Sequence, residues 1–349
     1  VGYRAGKAVT SGKENTFMGF HAGLSTTTGL HNTAIGSQAF RTNVDGDHNT
    51  VVGYASLYSF EASSDGNGKN TSIGSNAAFH ISSGQFNAGL GYEALMGVSG
   101  QTNTTSGSVG AGYRAGGTIT TGNQNIAIGL DAMYGANVTG DCNIAIGSSA
   151  GDALTSGYAN VFIGKDAGGT VNSGYGNVFI GNKVGNGHTS QINSVAIGNF
   201  AYDGGSANQV VCIGAYAGTN INSTAAVGDV FIGYEAGSAN TEGAGNTGIG
   251  YEALKTNVDG DKNTAIGYQA LETFEAASNG HGKNTAIGYD SGQAVTTGTN
   301  NTIIGAEAGL TGTADLTTGT QNTLIGADTR VSAADAENQT VIGRAAVGQ

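Results

Sequence analysis

The sequence predicts an all-β protein, a parallel β-solenoid (β-roll) of about twenty coils with 17–21 residues in each coil. Three observations support this prediction: a short repeat along the whole chain, a glycine-rich composition without proline, and apolar columns at fixed repeat positions. The 63 glycines do not follow the three-residue period of collagen. Because 38% of the residues are hydrophobic, a solvated tail is also excluded, and a regular structure with many tight turns remains.

The repeat is aligned on a glycine that follows an apolar residue, which we call the anchor glycine. Its phrase is Asn-Thr-Ala-Ile-Gly, as at residues 263–267. Twelve of the nineteen spacings between anchors are 17 residues and four are 21. The spacing series over residues 36–129 recurs over residues 250–343, so we interpret the two stretches as a duplicated block. The anchors are Gly2, Gly19, Gly36, Gly53, Gly74, Gly91, Gly112, Gly129, Gly147, Gly164, Gly181, Gly198, Gly214, Gly233, Gly250, Gly267, Gly288, Gly305, Gly326 and Gly343.

Charge and cysteine content limit the classes of partner. The net charge is −12 and the isoelectric point about 4.7, whereas nucleic acids and anionic membrane surfaces attract basic proteins. No apolar run has the length of a membrane span. We therefore expect no nucleic-acid partner and no membrane insertion. Cys142 and Cys212 lie in different repeat columns, so we expect neither a disulfide nor a metal site from them.

Each coil is predicted to contain two short strands and two turns. The residue before the anchor is apolar and the residue two positions earlier is β-branched, as in Thr33 with Ile35 and Val178 with Ile180. A period of two places both columns on one face of a strand, and we predict this to be the inward face. The residue between them, such as Phe179, is then predicted to point outward.

The middle column also lacks charge, which bears on assembly. A strand that is apolar on both faces is normally buried on both faces. A single coil covers only its interior, so another copy of the chain is the simplest cover for the second face. We therefore predict a homo-oligomer. Since neither end of the sequence shows a capping coil, we expect residues 1–349 to be a single repeat solenoid and a section of a longer fibre.

Two polar or small columns are assigned to turns. Asn lies four residues before the anchor in fourteen of nineteen coils, and we predict that these side chains form a hydrogen-bonded ladder along the axis. Gly lies seven residues before the anchor in twelve coils, for example Gly12 and Gly29. At these glycines we predict a turn with positive φ.

The repeat resembles two groups of surface proteins. The phrase at residues 193–198, Asn-Ser-Val-Ala-Ile-Gly, resembles the β-roll head repeats of trimeric autotransporter adhesins, although coils of 17 residues are longer than is typical there. The longer form at residues 246–254 resembles the Asn-Thr-Ala-Ile-Gly repeat shafts of phage tail fibres. The resemblance implies a homotrimeric fibre at an extracellular or virion surface that attaches to a host receptor or glycan.

One candidate ligand site is a column of aromatic residues directly after the anchor. Tyr234, Tyr251, Tyr268 and Tyr289 occupy it in consecutive coils. Stacked on one face, these rings offer a platform for sugar rings. Ordinary ladder stacking explains the column equally well, so both interpretations stay open.

A second candidate is a calcium site in the duplicated turns. Asp45 and Asp47, and their counterparts Asp259 and Asp261, place carboxylates at alternate positions, as calcium loops do. Both stretches lack the Gly and the bidentate Glu of an EF-hand, and Asp-Gly is also an ordinary turn pair. Calcium is the only cofactor that the sequence suggests.

We expect no catalytic residues and no enzymatic activity, because no column supplies paired carboxylates or a nucleophile with its base. The predicted function is that of a structural shaft or adhesin in a virion tail fibre or cell-surface filament. The first alternative is a lone ligand- or glycan-binding solenoid. Ice is disfavoured as its ligand because the threonine column is predicted to point inward. The second alternative is a tailspike-type glycan depolymerase.

Overall fold

The computed structural model describes residues 1–62, 67–135, 137–187, 189–204, 206–276, 280–310, 312 and 314–349. It confirms an all-β parallel β-solenoid, with about nineteen coils of mostly 17 residues. The coils form two compact units, Val1–Gly176 and Asn177–Gln349, and each unit contains one copy of the duplicated block. That the two units form a single continuous solenoid stays a prediction. No helix in the described ranges is long and apolar enough to cross a membrane.

Each coil contributes one strand of three residues that ends directly before the anchor glycine. The first unit contains β1 Thr16–Met18, β2 Thr33–Ile35, β3 Thr50–Val52, β4 Thr71–Ile73, β5 Ala88–Leu90, β6 Val109–Ala111, β7 Ile126–Ile128, β8 Ile144–Ile146 and β9 Val161–Ile163. The second unit contains β10 Val178–Ile180, β11 Val195–Ile197, β12 Val211–Ile213, β13 Val230–Ile232, β14 Thr247–Ile249, β15 Thr264–Ile266, β16 Thr285–Ile287, β17 Thr302–Ile304, β18 Thr323–Ile325 and β19 Thr340–Ile342.

Within each unit every strand pairs in parallel with the strand of the next coil, and equivalent residues lie opposite one another. In the second unit, for example, Thr247 is opposite Thr264 and Ile249 is opposite Ile266. The prediction of two strands per coil is wrong for the described residues, because the rest of each coil is turns with a few isolated bridges. In each of these short coils, only the three strand residues between two tight turns are extended.

The anchor glycine is required for two reasons at once. Gly112 has a φ of +132°, and a Cβ added there would lie 2.7 Å from the carbonyl oxygen of Gly129 in the next coil. Any side chain would therefore be strained in its backbone and would collide with the neighbouring coil. This explains why the anchor recurs in every coil.

The strand face that points into the coil is the opposite of the predicted one. The middle residues, including Phe162, Phe179 and Phe231, are completely buried inside the coil. The β-branched and isoleucine columns point outward, and Ile73 and Ile287 are 42% and 37% exposed. The prediction placed β-branched residues inside because they favour strands, but strand preference does not specify which face is covered.

The core is filled by a pair of positions whose sizes compensate. The middle strand residue faces the residue six positions later, and wherever the middle residue is Phe the later residue is Gly. Phe162 is followed by Gly168, where an added Cβ would lie 2.6 Å from the phenylalanine ring. Ala265 is followed instead by Leu271, and both are fully buried. Close packing therefore depends on the pair and not on either residue alone.

The asparagine ladder is confirmed. Asn263 donates its backbone N–H to Oδ1 of Asn246 at 2.9 Å and its side-chain Nδ2 to the same atom at 3.1 Å. Asn284 makes the same two bonds to Asn263. The Nδ2 of Asn246 also donates to the carbonyl of Gly260, so each amide joins two coils and a turn. Stacked buried amides thus satisfy one another.

The glycine seven residues before the anchor is needed for close packing and not for backbone conformation. Gly12 and Gly29 lie outside the left-handed region, so the predicted positive φ is wrong. An added Cβ would lie 2.6 Å from the carbonyl of Gly29 in the first case and 2.7 Å from that of Gly46 in the second. The turns of successive coils approach too closely for any side chain at this position.

Candidate binding surfaces

The first candidate surface is the outer strand face, which we define as the first and third residues of each strand within a unit. All of these residues are uncharged, and most are Thr, Val or Ile. They are half-buried to exposed, so their apolar atoms contact solvent in the single chain. The outward threonine column overturns the reason given above against ice binding, since the threonines do not point into the coil.

The second candidate surface is the tyrosine row of the second unit, formed by Tyr234, Tyr251, Tyr268 and Tyr289. Successive ring centroids are 5.3, 5.0 and 5.3 Å apart, and the planes differ by only 14°, 6° and 12°. The rings therefore cover one another's faces, which confirms the predicted stacking. The rings are 41–53% exposed. Inside the row each ring covers a face of its neighbour, so sugar rings cannot lie flat between them, and sugar binding at these four residues stays a prediction.

A polar network lies beside the tyrosine row. Lys255 Nζ is 2.7 Å from Oε2 of Glu235 and 2.7 Å from Oε1 of Glu252. Gln269 donates to the other oxygen of Glu252 at 2.7 Å, and Gln293 donates to Gln269 at 3.0 Å. The lysine hydrogen bonds hold the pKa of Glu235 and of Glu252 below the usual range, and the two carboxylates raise the pKa of Lys255.

Three of the tyrosine hydroxyls interact with nearby carboxylates, two of which belong to this network. A hydrogen bond with Glu235 is the main cause that raises the pKa of Tyr234, and the charge of Asp290 has this effect on Tyr289. The pKa of Tyr251 is raised first by partial desolvation and then by Glu252. A carboxylate therefore follows three of the four tyrosines, and Gln269 follows the fourth, Tyr268.

The four aspartates proposed for calcium are engaged with the preceding coil. Asp47 Oδ1 accepts the backbone N–H of Leu30 at 2.6 Å, and Asp261 Oδ1 accepts that of Ala244 at 2.8 Å. Asp45 and Asp259 accept hydrogen bonds from the hydroxyls of Thr28 and Thr241 at 2.8 and 3.5 Å.

The duplicated turns thus use their aspartates in the same way in both units, to cap the preceding coil. Among the described residues, no group of three or more His, Cys, Asp or Glu side chains is placed to hold a metal ion. Calcium binding at Asp45, Asp47, Asp259 and Asp261 stays a prediction.

The sequence analysis missed a buried carboxylate. Asp229 takes the place of asparagine in the ladder and is fully buried, and burial raises its pKa to about 7. Its Oδ1 accepts the backbone N–H of Asn246 at 2.7 Å and its Oδ2 accepts Nδ2 of Asn240 at 2.9 Å. The repeat did contain a signal for it. Asp229 lies four residues before the anchor Gly233, in the asparagine column, and Val210 already interrupts that column one coil earlier.

The two cysteines differ in accessibility and are not bonded to each other. Cys142 is exposed, whereas Cys212 is the fully buried middle residue of β12. Burial raises the pKa of the Cys212 thiol, so it behaves as a small apolar core residue.

Comparison with known proteins gives no assignment. No protein-family model matches the chain, and no significant match occurs among the curated proteins or among the solved structures.

Proposed function

We propose that the chain is the structural shaft of a homo-oligomeric fibre on a virion or cell surface, where it mediates attachment to a host receptor or glycan. The observation that carries this proposal is the uncharged, partly exposed outer strand face. A cover for that face must be uncharged where it contacts the strands and must repeat at the strand spacing of about 4.8 Å. Another copy of the same chain meets both requirements in every coil.

Charge supports the choice of a second copy as the cover. The chain carries 25 acidic and 13 basic residues, so two copies repel each other over most of their surface. None of these charges lies on the outer strand face. Copies that meet through this face therefore bury no unpaired charge, which would cost several kcal/mol. Three copies are what the resemblance to trimeric adhesins implies.

The proposal is tested by placing lysines on the outer strand face. The variant carries Ile266→Lys and Ile287→Lys in the adjacent strands β15 and β16. Because an interface cannot bury these charges, we expect association to weaken by at least about tenfold. Sedimentation velocity of the wild type and the variant measures this, with circular dichroism to verify that the variant is folded.

The matched control is Val227→Lys. Val227 is 38% exposed, nearly the same as the 37% of Ile287, but it lies in a turn and not on a strand. We expect this variant to sediment like the wild type. Equal sedimentation of all three proteins would remove the outer strand face from the interface, and an equal loss in the control would show a nonspecific charge effect.

A second candidate is a lone solenoid that binds a regular surface such as ice. The observation in its favour is the outward threonine column, which runs through six consecutive strands from Thr247 to Thr340. Hydroxyls on a rigid scaffold repeat at the coil spacing and can order water in a regular pattern. Thermal hysteresis by a monomeric wild-type chain would favour this candidate, whereas an oligomer without hysteresis favours the fibre.

The depolymerase alternative has the weakest support. Glu235 and Glu252 are joined through one lysine, and both have lowered pKa values. A glycosidase requires one carboxylic acid whose pKa is raised so that it can protonate the leaving group. We therefore propose no catalytic role for this pair.

A further inference from the structure

We infer that the tyrosine row and its polar network form a binding surface for a neutral, extended polysaccharide that lies along the coils of the second unit. This inference rests on the attachment role proposed above and names the chemical class of the receptor. It differs from the sugar platform considered in the sequence analysis, because the exposed groups are ring edges and hydroxyls instead of ring faces.

The spacing of the row is the first argument. The ring centroids of Tyr234, Tyr251, Tyr268 and Tyr289 repeat every 5.0–5.3 Å in a straight register. A polymer of similar repeat makes an equivalent contact at each coil, and extended polysaccharides advance by one sugar ring over a comparable distance. Repeated weak contacts on one chain then add to a useful affinity. Tyrosine suits this role because it combines an apolar edge with a hydroxyl group.

Preorganisation is the second argument. Lys255 links Glu235 and Glu252, and Gln269 is bonded to Glu252 and accepts from Gln293, so the side chains beside the row are ordered before any ligand arrives. Carboxylates accept and amides both donate and accept hydrogen bonds, which are the groups that sugar hydroxyls require. A ligand therefore does not have to order these side chains on binding.

Charge gives the specificity. Glu235, Glu252 and Asp290 follow the tyrosines directly, and Glu272 accepts from Gln293 nearby at 2.7 Å. Lys255 is the basic residue bonded within this network. The acidic surroundings repel an anionic polysaccharide and leave a neutral one unaffected. We therefore expect a neutral glycan to be preferred over a uronic-acid polymer.

The experiment is calorimetric titration of the full chain with defined oligosaccharides. The probes are cellohexaose, hexa-N-acetylchitohexaose and mannohexaose, which are neutral and extended, with oligogalacturonate as the acidic comparison. We expect at least one neutral probe to bind, and we expect the variant Tyr251→Ala with Tyr268→Ala to bind it at least about tenfold more weakly. Binding of none of the neutral probes, or stronger binding of oligogalacturonate, would overturn the inference.

The matched control is Tyr158→Ala with Tyr175→Ala in the first unit. These rings stack equally well, at 4.8 Å and 5°, but they lie six residues before the anchor glycine, outside the tyrosine row. We expect this variant to retain sugar binding. If both variants bind like the wild type, the row is not the site.

Native mass measured on the same samples separates this inference from the fibre proposal. An intact oligomer that binds no sugar overturns the glycan inference alone. A monomer that binds sugar through the tyrosine row overturns the fibre and leaves the glycan site. If the tyrosine variant loses its oligomeric mass, the row belongs to the interface between copies and the glycan inference is wrong.

Discussion

Exchanging the sizes of two facing core residues, Phe231→Ala together with Gly237→Leu, is expected to leave the chain nearly as stable as the wild type. Each change alone is expected to be strongly destabilising. Phe231→Ala leaves a cavity and lowers the free energy of unfolding by about 3–5 kcal/mol. Gly237→Leu overpacks the coil and costs about 1–3 kcal/mol or more.

The expected rescue follows from the geometry of the coil. A Cβ added at Gly237 would overlap the ring of Phe231, so the ring fits only because this residue is glycine. The opposite arrangement already occurs two coils later, where Ala265 is followed by Leu271. Leu271 has a φ of +50°, close to the +57° of Gly237, so leucine tolerates this backbone conformation. The remaining cost is about 1 kcal/mol for the left-handed leucine.

Urea unfolding of the two single variants and the double variant measures the coupling between the sites. Because repeat proteins can open locally, hydrogen exchange of residues 211–254 is measured in parallel. The control is a second double variant, in which Phe231→Ala is combined with Gly245→Leu. Gly245 also has positive φ, at +68°, but it lies outside the core and cannot fill the cavity. Additive losses in the double variant would contradict the packing account.

The second large effect is expected at the buried carboxylate of the asparagine ladder. Asp229→Asn restores the residue that occupies this column in most coils. Burial raises the pKa of Asp229 to about 7, and the charge of Asp261 adds to this shift, while the amides of Asn246 and Asn240 oppose it. Replacing the carboxylate removes the cost of ionising it inside the coil. An asparagine amide in this place can accept only one of the two N–H groups that the carboxylate accepts, which costs the variant the same stability at every pH. Relative to the wild type, we therefore expect Asp229→Asn to gain about 2–4 kcal/mol of stability between pH 4 and pH 8.

The pH dependence follows from the direction of the shift. An acid whose pKa is higher in the folded state than in the unfolded state disfavours folding once it must ionise. Below about pH 4, where the carboxyl is protonated in both states, the wild type has no such penalty. The penalty grows as the pH rises from about 4 and is complete above about 7. The advantage of Asp229→Asn is therefore expected to grow over the same interval.

Urea unfolding at a series of pH values from 4 to 8 tests this expectation. Asp259→Asn is the control, since Asp259 lies in a turn and is only partly buried. Its effect is expected to stay within about 0.5 kcal/mol at every pH. A stability difference between Asp229→Asn and the wild type that is the same at pH 4 and pH 8 would show that Asp229 is not ionised at a cost in the folded chain.

The solenoid was predictable because the repeat period and the anchor glycine are properties of the sequence alone. The asparagine ladder was predictable for the same reason, since stacked equivalent residues must meet. The direction of the strand faces was not predicted, because β-branched residues signal a strand without telling which side is covered. The paired sizes of Phe162 with Gly168 and of Ala265 with Leu271 did carry this information. Only residues that share an interior compensate in volume.

The binding surfaces were predicted in part. The column spacing placed Tyr234, Tyr251, Tyr268 and Tyr289 in one row, and the rings stack as expected. The network around Lys255 was not predicted, since its members come from different repeat positions of neighbouring coils. Likewise the hydrogen bonds of Asp47 and Asp261 with backbone of the preceding coil were not predicted, and calcium binding at these residues stays a prediction. Such contacts depend on the stacking geometry of turns, which the sequence does not specify.

Native mass spectrometry of the unmodified chain tests whether copies of the chain cover one another's outer strand faces. The monomer mass is 34.5 kDa. We expect a homo-oligomer, with three copies giving three times the monomer mass. A species that remains at 34.5 kDa at micromolar concentration would contradict the fibre proposal, because no second copy would then cover the outer strand face.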